Sequence, residues 1–244
     1  MSSFEIHPAQ VLYLDNHLLI VHKPPGILVQ ADKEGNPNVE DGAKAYLKAK
    51  FNKPGNVFAT ATHRLDQPVG GLVILARTSK ALARMNSLFA ERHISKVYLA
   101  VVEGKPEPEK HLRHWIKKNE ITNKVWTYTY ERGDAKQADL NYWLTAKSNE
   151  LSMLMIRLFT GRHHQIRAQL GLEKIPILGD QKYGKARGRE LDIALLSYAV
   201  RFEHPVTSEI MTISVKRPDG IFEKFPLPNK AELEMAFSHS APAP

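Results

Sequence analysis

One carboxylate, Asp66, follows the cationic pair His63-Arg64 at the lip of a turn that runs straight into an apolar stretch. Pro68 and Gly70-Gly71 let the backbone reverse tightly and approach a ligand. Leu72 to Ala76 reads as a buried strand that would hold Asp66 on a rigid edge. Fixed positive charge favours the ionised form of a neighbouring acid, and an ionised carboxylate is what nucleophilic catalysis by Asp requires. A second basic cluster, Arg162-His163-His164-Gln165-Ile166-Arg167, opens a helix directly after a strand. Unpaired N–H groups and the positive dipole end attract anions to a helix start, so Arg162 there marks a candidate phosphate site. Arg167 lies more than one turn further along and is expected to point toward a carboxylate, with Asp66 the candidate.

Plainer explanations exist for each feature. Asp is a common turn former ahead of Pro, helical arginines are usually solvated, and Tyr98 on a strand is usually packing. Adjacent His163 and His164 would point apart on a helix, and no HxxxH pair or carboxylate completes a metal site around them. The looser His111 and His114 pair has no evident third ligand. No metal dependence is expected.

Behind these residues the chain alternates strands and helices. Val11–Leu14 and Leu18–Val21, separated by Asp15-Asn16-His17, read as a hairpin, broken by Lys23-Pro24-Pro25-Gly26 and resumed at Ile27-Leu28-Val29. From Asn38 the spacing of Ala43, Leu47 and Phe51 predicts an amphipathic helix ending before Pro54-Gly55. Thr78 or Ser79 caps a second helix with Leu82, Met85, Leu88 and Phe89 on its apolar face. Lys96 to Gly104 is a strand with Val97, Leu99 and Val101 on one side and Tyr98, Ala100 and Val102 on the other. A polar, aromatic region from Trp115 to Tyr130 suggests exposed strands or a hairpin. Ala138–Thr145, Leu151–Phe159, Ala194–Phe202 and Ile210–Val215 supply further strands, and His163 to Leu172 a short helix. The end of the chain, from Ser238, is expected to fray. With no repeat and no linker, the reading is one α+β domain over residues 1–244, its core spanning about 10–220 and its sheet mixed and largely antiparallel, with flanking helices and a basic central cleft.

The 244 residues carry 34 Lys and Arg against 26 acids, a net charge of +8 and a pI near 9.5. That excess points to a polyanionic partner, with nucleic acid ahead of membrane. No cysteine is present, which excludes disulfides and thiolate chemistry. The start lacks a signal-peptide pattern and no apolar run approaches the ~20 residues that span a bilayer. The expectation is a cytoplasmic protein without membrane contact.

Four ordered stretches resemble the RluA family of pseudouridine synthases. Leu19 to Val29 is similar to its opening "KPxG" element and His63-Arg64-Leu65-Asp66 to its "HRLD" signature. Lys96-Val97-Tyr98 is similar to its "KxY" strand. Leu158 to Arg167, with Pro176-Ile177-Leu178-Gly179-Asp180 and Tyr183-Gly184, is similar to its "LxTGRxHQIR…PIxGDxxYG" run. The likeness runs from about residue 10 to 220. It departs at Val69-Gly70, His163, Ala168-Gln169 and Leu196-Ser197, and keeps the acid, the tyrosine and the arginine.

The resemblance implies an isomerase that turns a uridine of rRNA or tRNA into pseudouridine without cofactor or metal. It implies Asp66 as catalytic carboxylate, attacking the ribose or the base, and Tyr98 stacked on that base and helping to remove the C5 proton. Arg167 would pair with Asp66, and Arg64 would help displace the target from its stack. His63, Lys96, Arg162, His164 and Gln165 would join Arg64 in binding RNA. The opening motif begins within the first dozen or so residues, so no S4 domain is expected ahead of it. Target choice would then fall to the catalytic domain itself, including the region from Trp115 to Arg132. A monomer is expected. The competing reading is a non-catalytic RNA-binding protein or RNA chaperone on the same fold.

Overall fold

The structure, a computed structural model, describes residues 4–119, 121–122, 124–148, 150–184 and 193–241. In chain order its elements are β1 (Val11–Leu14), β2 (Leu18–Lys23), α1 (Val39–Lys50), β3 (Thr60–Ala61), β4 (Gly70–Ala76), α2 (Ser79–Ala90), β5 (Ser95–Glu103), β6 (Glu109–Asn119), β7 (Lys124–Tyr128), β8 (Lys136–Ser148), β9 (Leu151–Leu158), α3 (Gln165–Leu172), β10 (Leu195–Glu203), β11 (Ile210–Ser214) and α4 (Lys230–Ser238). They fall into two compact units, one of residues 1–94 with 197–216, the other of residues 95–196 with 217–244.

In the first unit β1 and β2 form the expected antiparallel hairpin, and β2 pairs antiparallel with β4 so that Val21 faces Val73 and Leu19 faces Leu75. All seven residues of β4 are buried, which is why it reads as an unbroken apolar run rather than an alternating one. Helix α1 covers one face, its Val39, Ala43 and Leu47 packing with Leu19, Val21, Val73 and Leu75. The Asn38 side chain caps it by accepting from the Asp41 N–H. Phe51, expected to continue the apolar face, lies just past the helix and is exposed. Helix α2 packs against β4 with Ala81 and Met85 buried, and Thr78 is its cap. Beyond β4 the unit continues through β10, which carries β11 as an antiparallel neighbour. Gly71 makes a close approach possible there: at φ +114° a Cβ would stand 2.3 Å from the carbonyl oxygen of Ser197.

Residues 27–29 do not resume a strand and make only a bridge from Leu28 to Asn38. The reason is local. The Ile27 carbonyl, which a strand partner would have used, instead accepts a bond from the Lys23 ammonium.

In the second unit β5, β9, β8, β6 and β7 follow one another in an antiparallel sheet. Residues directly opposite share a face. Lys96 therefore shares a face with Leu158 and Leu140, and Tyr98 with Ile156 and Tyr142. Ala138, two residues before Leu140, lies on that same face and clusters with Ala168 of α3, Ile116 and Val125. Helix α3 thus sits on the side of the sheet that carries Lys96 and Tyr98. Helix α4, which the sequence reading did not foresee, packs on β5 and β9. Its following residue His239 meets the ring of Trp143 edge-on at 5.1 Å, on the opposite face. The chain end is therefore anchored at His239 rather than frayed from Ser238, and residues 242–244 lie outside the described residues. No helix of the described residues is long and apolar enough to cross a membrane.

Candidate active site

Asp66 lies in the loop between β3 and β4, half-buried, and its carbonyl closes a turn by accepting the N–H of Val69 at 3.0 Å. A single lysine holds this turn from behind. Lys23, at the end of β2, is fully buried, and its ammonium donates to the carbonyls of Pro24 at 3.0 Å, Ile27 at 2.7 Å and Gln67 at 3.0 Å. Gly26 N–H adds a second bond to the Gln67 carbonyl at 2.9 Å, and Gln67 Nε2 returns one to the Gly26 carbonyl at 3.1 Å. Burial lowers the Lys23 ammonium to a pKa of about 7, while the negative charge of Asp66 pulls it upward. In the sequence Lys23 stands in the KPPG element with no role of its own evident. The available signal was a lysine closing an apolar strand immediately before Pro-Pro-Gly.

The cationic pair ahead of Asp66 divides its work. Arg64 is exposed. His63 instead supports the fold: its Nε2 accepts the N–H of Ile74 at 3.1 Å and its ring lies 5.2 Å from that of Phe89. This ties the loop to β4 through a residue expected to bind RNA.

In the second unit Tyr98 is buried on β5, with Lys96 on the same face. Burial, then the charge of Arg157, lowers Lys96 to a pKa of about 8. Gly161 leaves room for this side chain, since a Cβ there would stand 3.3 Å from Lys96 Nζ. Arg167, on α3 at the same side of the sheet, makes a two-point pair with Asp180, Nε to Oδ2 at 2.8 Å and Nη2 to Oδ1 at 3.0 Å, both residues buried. Burial would raise the Asp180 carboxyl. The hydrogen bond and charge of Arg167, with the N–H groups of Lys182 and Tyr183, outweigh that and hold it below its ordinary range. Arg167 does face a carboxylate, and within this unit that carboxylate is Asp180, part of the PIxGDxxYG run.

The start of α3 differs from expectation. His164 takes a left-handed conformation at φ 52° and is the N-cap, so His163 and His164 precede the helix. Their rings stack face to face at 3.8 Å rather than pointing apart, because the divergence argument holds only for helical backbone. His164 Nδ1 bonds to Tyr183 Oη at 2.8 Å, and the same oxygen accepts the N–H of Val125 at 2.9 Å. Gln165, expected to contact RNA, is buried and clasps the fold with both ends of its amide. Its oxygen accepts from Thr160 Oγ1 at 2.7 Å and Arg162 N at 3.0 Å, and its nitrogen donates to the Asp139 carbonyl at 3.0 Å. Arg162 is half-buried and anchored through Nε to the Gln137 carbonyl.

Comparison with known proteins agrees with this assembly of elements. Residues 17–171 match the family model described as RNA pseudouridylate synthase. The chain is 27% identical over 225 residues to ribosomal large subunit pseudouridine synthase D of Zymomonas mobilis, covering 88% of this chain and 71% of that protein. It is 30% identical over 239 residues to the Xanthomonas campestris protein of the same name, covering 88% and 67%. With the Borreliella burgdorferi homologue of that name it shares 29% identity over 208 residues, covering 80% of this chain and 61% of that one. Among solved structures, human RNA pseudouridylate synthase domain containing 1 superposes with a TM-score of 0.71 at 20% identity, over 98% of this chain and 100% of that one. Human RNA pseudouridylate synthase domain containing 4 gives the same TM-score over 85% and 88%. The α+β fold, mostly antiparallel in its sheets, is thus that of pseudouridylate synthases, and the chain belongs to the RNA pseudouridylate synthase family.

Proposed function

We propose that this protein converts a uridine of ribosomal RNA to pseudouridine, with Asp66 as nucleophile and both units forming one catalytic domain. The observation that carries this reading is the setting of Asp66, a half-buried carboxylate on a turn locked to the KPPG loop by Lys23. The names of the curated relatives favour ribosomal over transfer RNA.

The reaction breaks the N1–C1′ bond of the uridine and makes a C5–C1′ bond. One proton leaves C5 and one arrives at N1, so no atom or electron is gained or lost. Asp66 attacks the ribose or the base to release the ring, which turns in place before rejoining. Tyr98 stacks on the ring and helps to take the C5 proton. Arg167, its guanidinium fixed by Nε and Nη2 bonds to Asp180, is in this reading the cation that keeps Asp66 ionised and oriented. Exposed Arg64 helps hold the target base out of its stack, and Lys96 and Arg162 bind the backbone phosphates. His63, His164 and Gln165 act behind these groups as supports. The enzyme works as a cytoplasmic monomer.

The test is pseudouridine mapping after incubating purified protein with ribosomal and transfer RNA. Wild type should modify a uridine in ribosomal RNA, and Asp66→Asn should modify none. Absence of any modified uridine with wild type would overturn the reading.

A further inference from the structure

The β6–β7 hairpin of the second unit has two unlike faces. On one, Ile116 and Val125 are buried in a cluster with Ala138, Ala168 and Tyr183. On the other, Trp115 stands opposite Tyr128 and Lys117, paired with Asp134 at 2.6 Å, stands opposite Trp126, and Arg113, bonded to Asp139 at 2.8 Å, joins them by the two-residue period. This outer face is on the side of the sheet away from α3. Trp126 is 56% exposed and Tyr130 58% exposed, with the Tyr130 ring 6.4 Å from that of Tyr128. The Arg132 guanidinium lies 4.9 Å from the Tyr128 ring centre. From Arg113 to Lys136 the sequence holds six cations against three acids.

Large exposed aromatic rings interleaved with cations are an unfavourable surface for water to cover, and they match the two parts of a single-stranded nucleic acid. Every base has a flat face that stacks on such rings, and each phosphate meets a cation. A duplex hides its base faces and could use only the charges. We infer that this outer face is a stacking platform for an unpaired segment of the substrate RNA, outside the catalytic groups, and that it contributes to target choice. The inference rests on the RNA-modifying function proposed above. The platform is rigidly indexed to α3, because Tyr183 Oη joins the Val125 backbone to His164 at the start of that helix. RNA held by the hairpin is therefore held at a fixed distance from Arg167.

The test uses full-length protein, wild type and Trp126→Ala, Tyr128→Ala and the double variant, checked for unchanged unfolding midpoints. Affinity is measured by anisotropy for a short single-stranded oligouridine and for a short RNA duplex at one salt concentration. Turnover is measured on ribosomal RNA. Each single variant should weaken oligouridine binding about tenfold, leave duplex binding unchanged, and raise KM on ribosomal RNA while kcat holds. Unchanged oligouridine affinity overturns the platform, and so does an equal loss for duplex, which would make the face a charge patch. A dimer in sedimentation that Trp126→Ala dissociates without altering RNA affinity also overturns it, as the face would then seat a second copy of the chain. The oligouridine arm needs no turnover. Loss of binding by the variants with no uridine modified by wild type would support the platform and sink the isomerase reading.

Discussion

The Lys23 ammonium donates to the Gln67 carbonyl at 3.0 Å, one residue past Asp66. That bond joins the end of β2 to a turn more than forty residues later in the chain, and four further contacts make it a clamp: the two other carbonyls on Lys23 and the two reciprocal bonds between Gly26 and Gln67. A nucleophile displaced by about 1 Å can lose on the order of a hundredfold in rate. The position of Asp66 is thus set by a lysine that never needs to touch substrate.

Lys23→Met keeps the apolar stem, takes the ammonium from the carbonyls of Pro24 and Ile27, and leaves that of Gln67 with the Gly26 N–H. We expect a loss of about 3 kcal/mol in urea unfolding and a larger fall in kcat than in RNA affinity. The pH dependence has a definite sign. Burial lowers the Lys23 pKa from 10.5 to about 7 in the folded chain. Between those values the unfolded chain binds a proton that the folded chain does not, so the contribution of Lys23 to stability rises with pH across that window. The gap between wild-type and Lys23→Met midpoints should widen from neutral pH to about pH 9, and a constant gap would show that Lys23 is not desolvated.

Gly71→Ala should be among the most damaging single-methyl changes in the chain. The added Cβ would meet the Ser197 backbone at 2.3 Å from its oxygen and 2.6 Å from its nitrogen, at a φ of +114°. Neither atom is the free end of a side chain, so the strands must separate. A fall in Tm of about 10 °C is expected. Gly26→Ala, at φ +83° with nothing within 4 Å, should cost only about 1 kcal/mol. Similar losses for the two would refute the close-approach argument.

Much of this architecture is written in local patterns. The β1–β2 hairpin, the Asn38 and Thr78 caps and the unbroken run of β4 follow from periodicity and turn chemistry, and Asp66 sits on the turn that Pro68 and Gly70 announce. Where the partner of a buried polar group decides, the sequence is silent. Nothing in Ile27-Leu28-Val29 says that a buried ammonium will take the Ile27 carbonyl. Left-handed backbone is uncommon for any residue but glycine, histidine included, so the turn at His164 that sets the start of α3 and stacks the imidazoles has no local signal. Helix α4 was readable, since Asn229 and Glu232 form a reciprocal capping box, but its short apolar stripe gave no periodic signal. The Arg167 partner was obscured because Asp180 returns across a turn at Gly179, thirteen residues on.

Arg162→Ala tests the phosphate role. The guanidinium is anchored by Nε to the Gln137 carbonyl, which aims its remaining edge without neutralising its charge. Removing one phosphate contact should weaken RNA binding across sequences and reduce the slope of log affinity against log salt by about 0.7 to 0.9. Equal slopes for the two proteins would count against a phosphate at this residue.

Asp180→Asn separates the support of Arg167 from the catalytic groups themselves. The change keeps the shape of the side chain but removes the charge that offsets a buried guanidinium, and breaking one side of such a pair costs about 3–5 kcal/mol. Asp180 is held below its ordinary value of 3.8 in the folded chain. Its contribution is therefore present above that value and lost as pH falls through the lowered one. Wild type should lose stability in acid more steeply than Asp180→Asn. At neutral pH the variant should show reduced kcat with near-normal RNA affinity, because Arg167 would no longer be fixed in orientation. Adding Arg167→Met to Asp180→Asn should restore part of the stability and none of the activity. If instead the double variant is as unstable as the single one, the buried charge is not what Asp180 is there to balance.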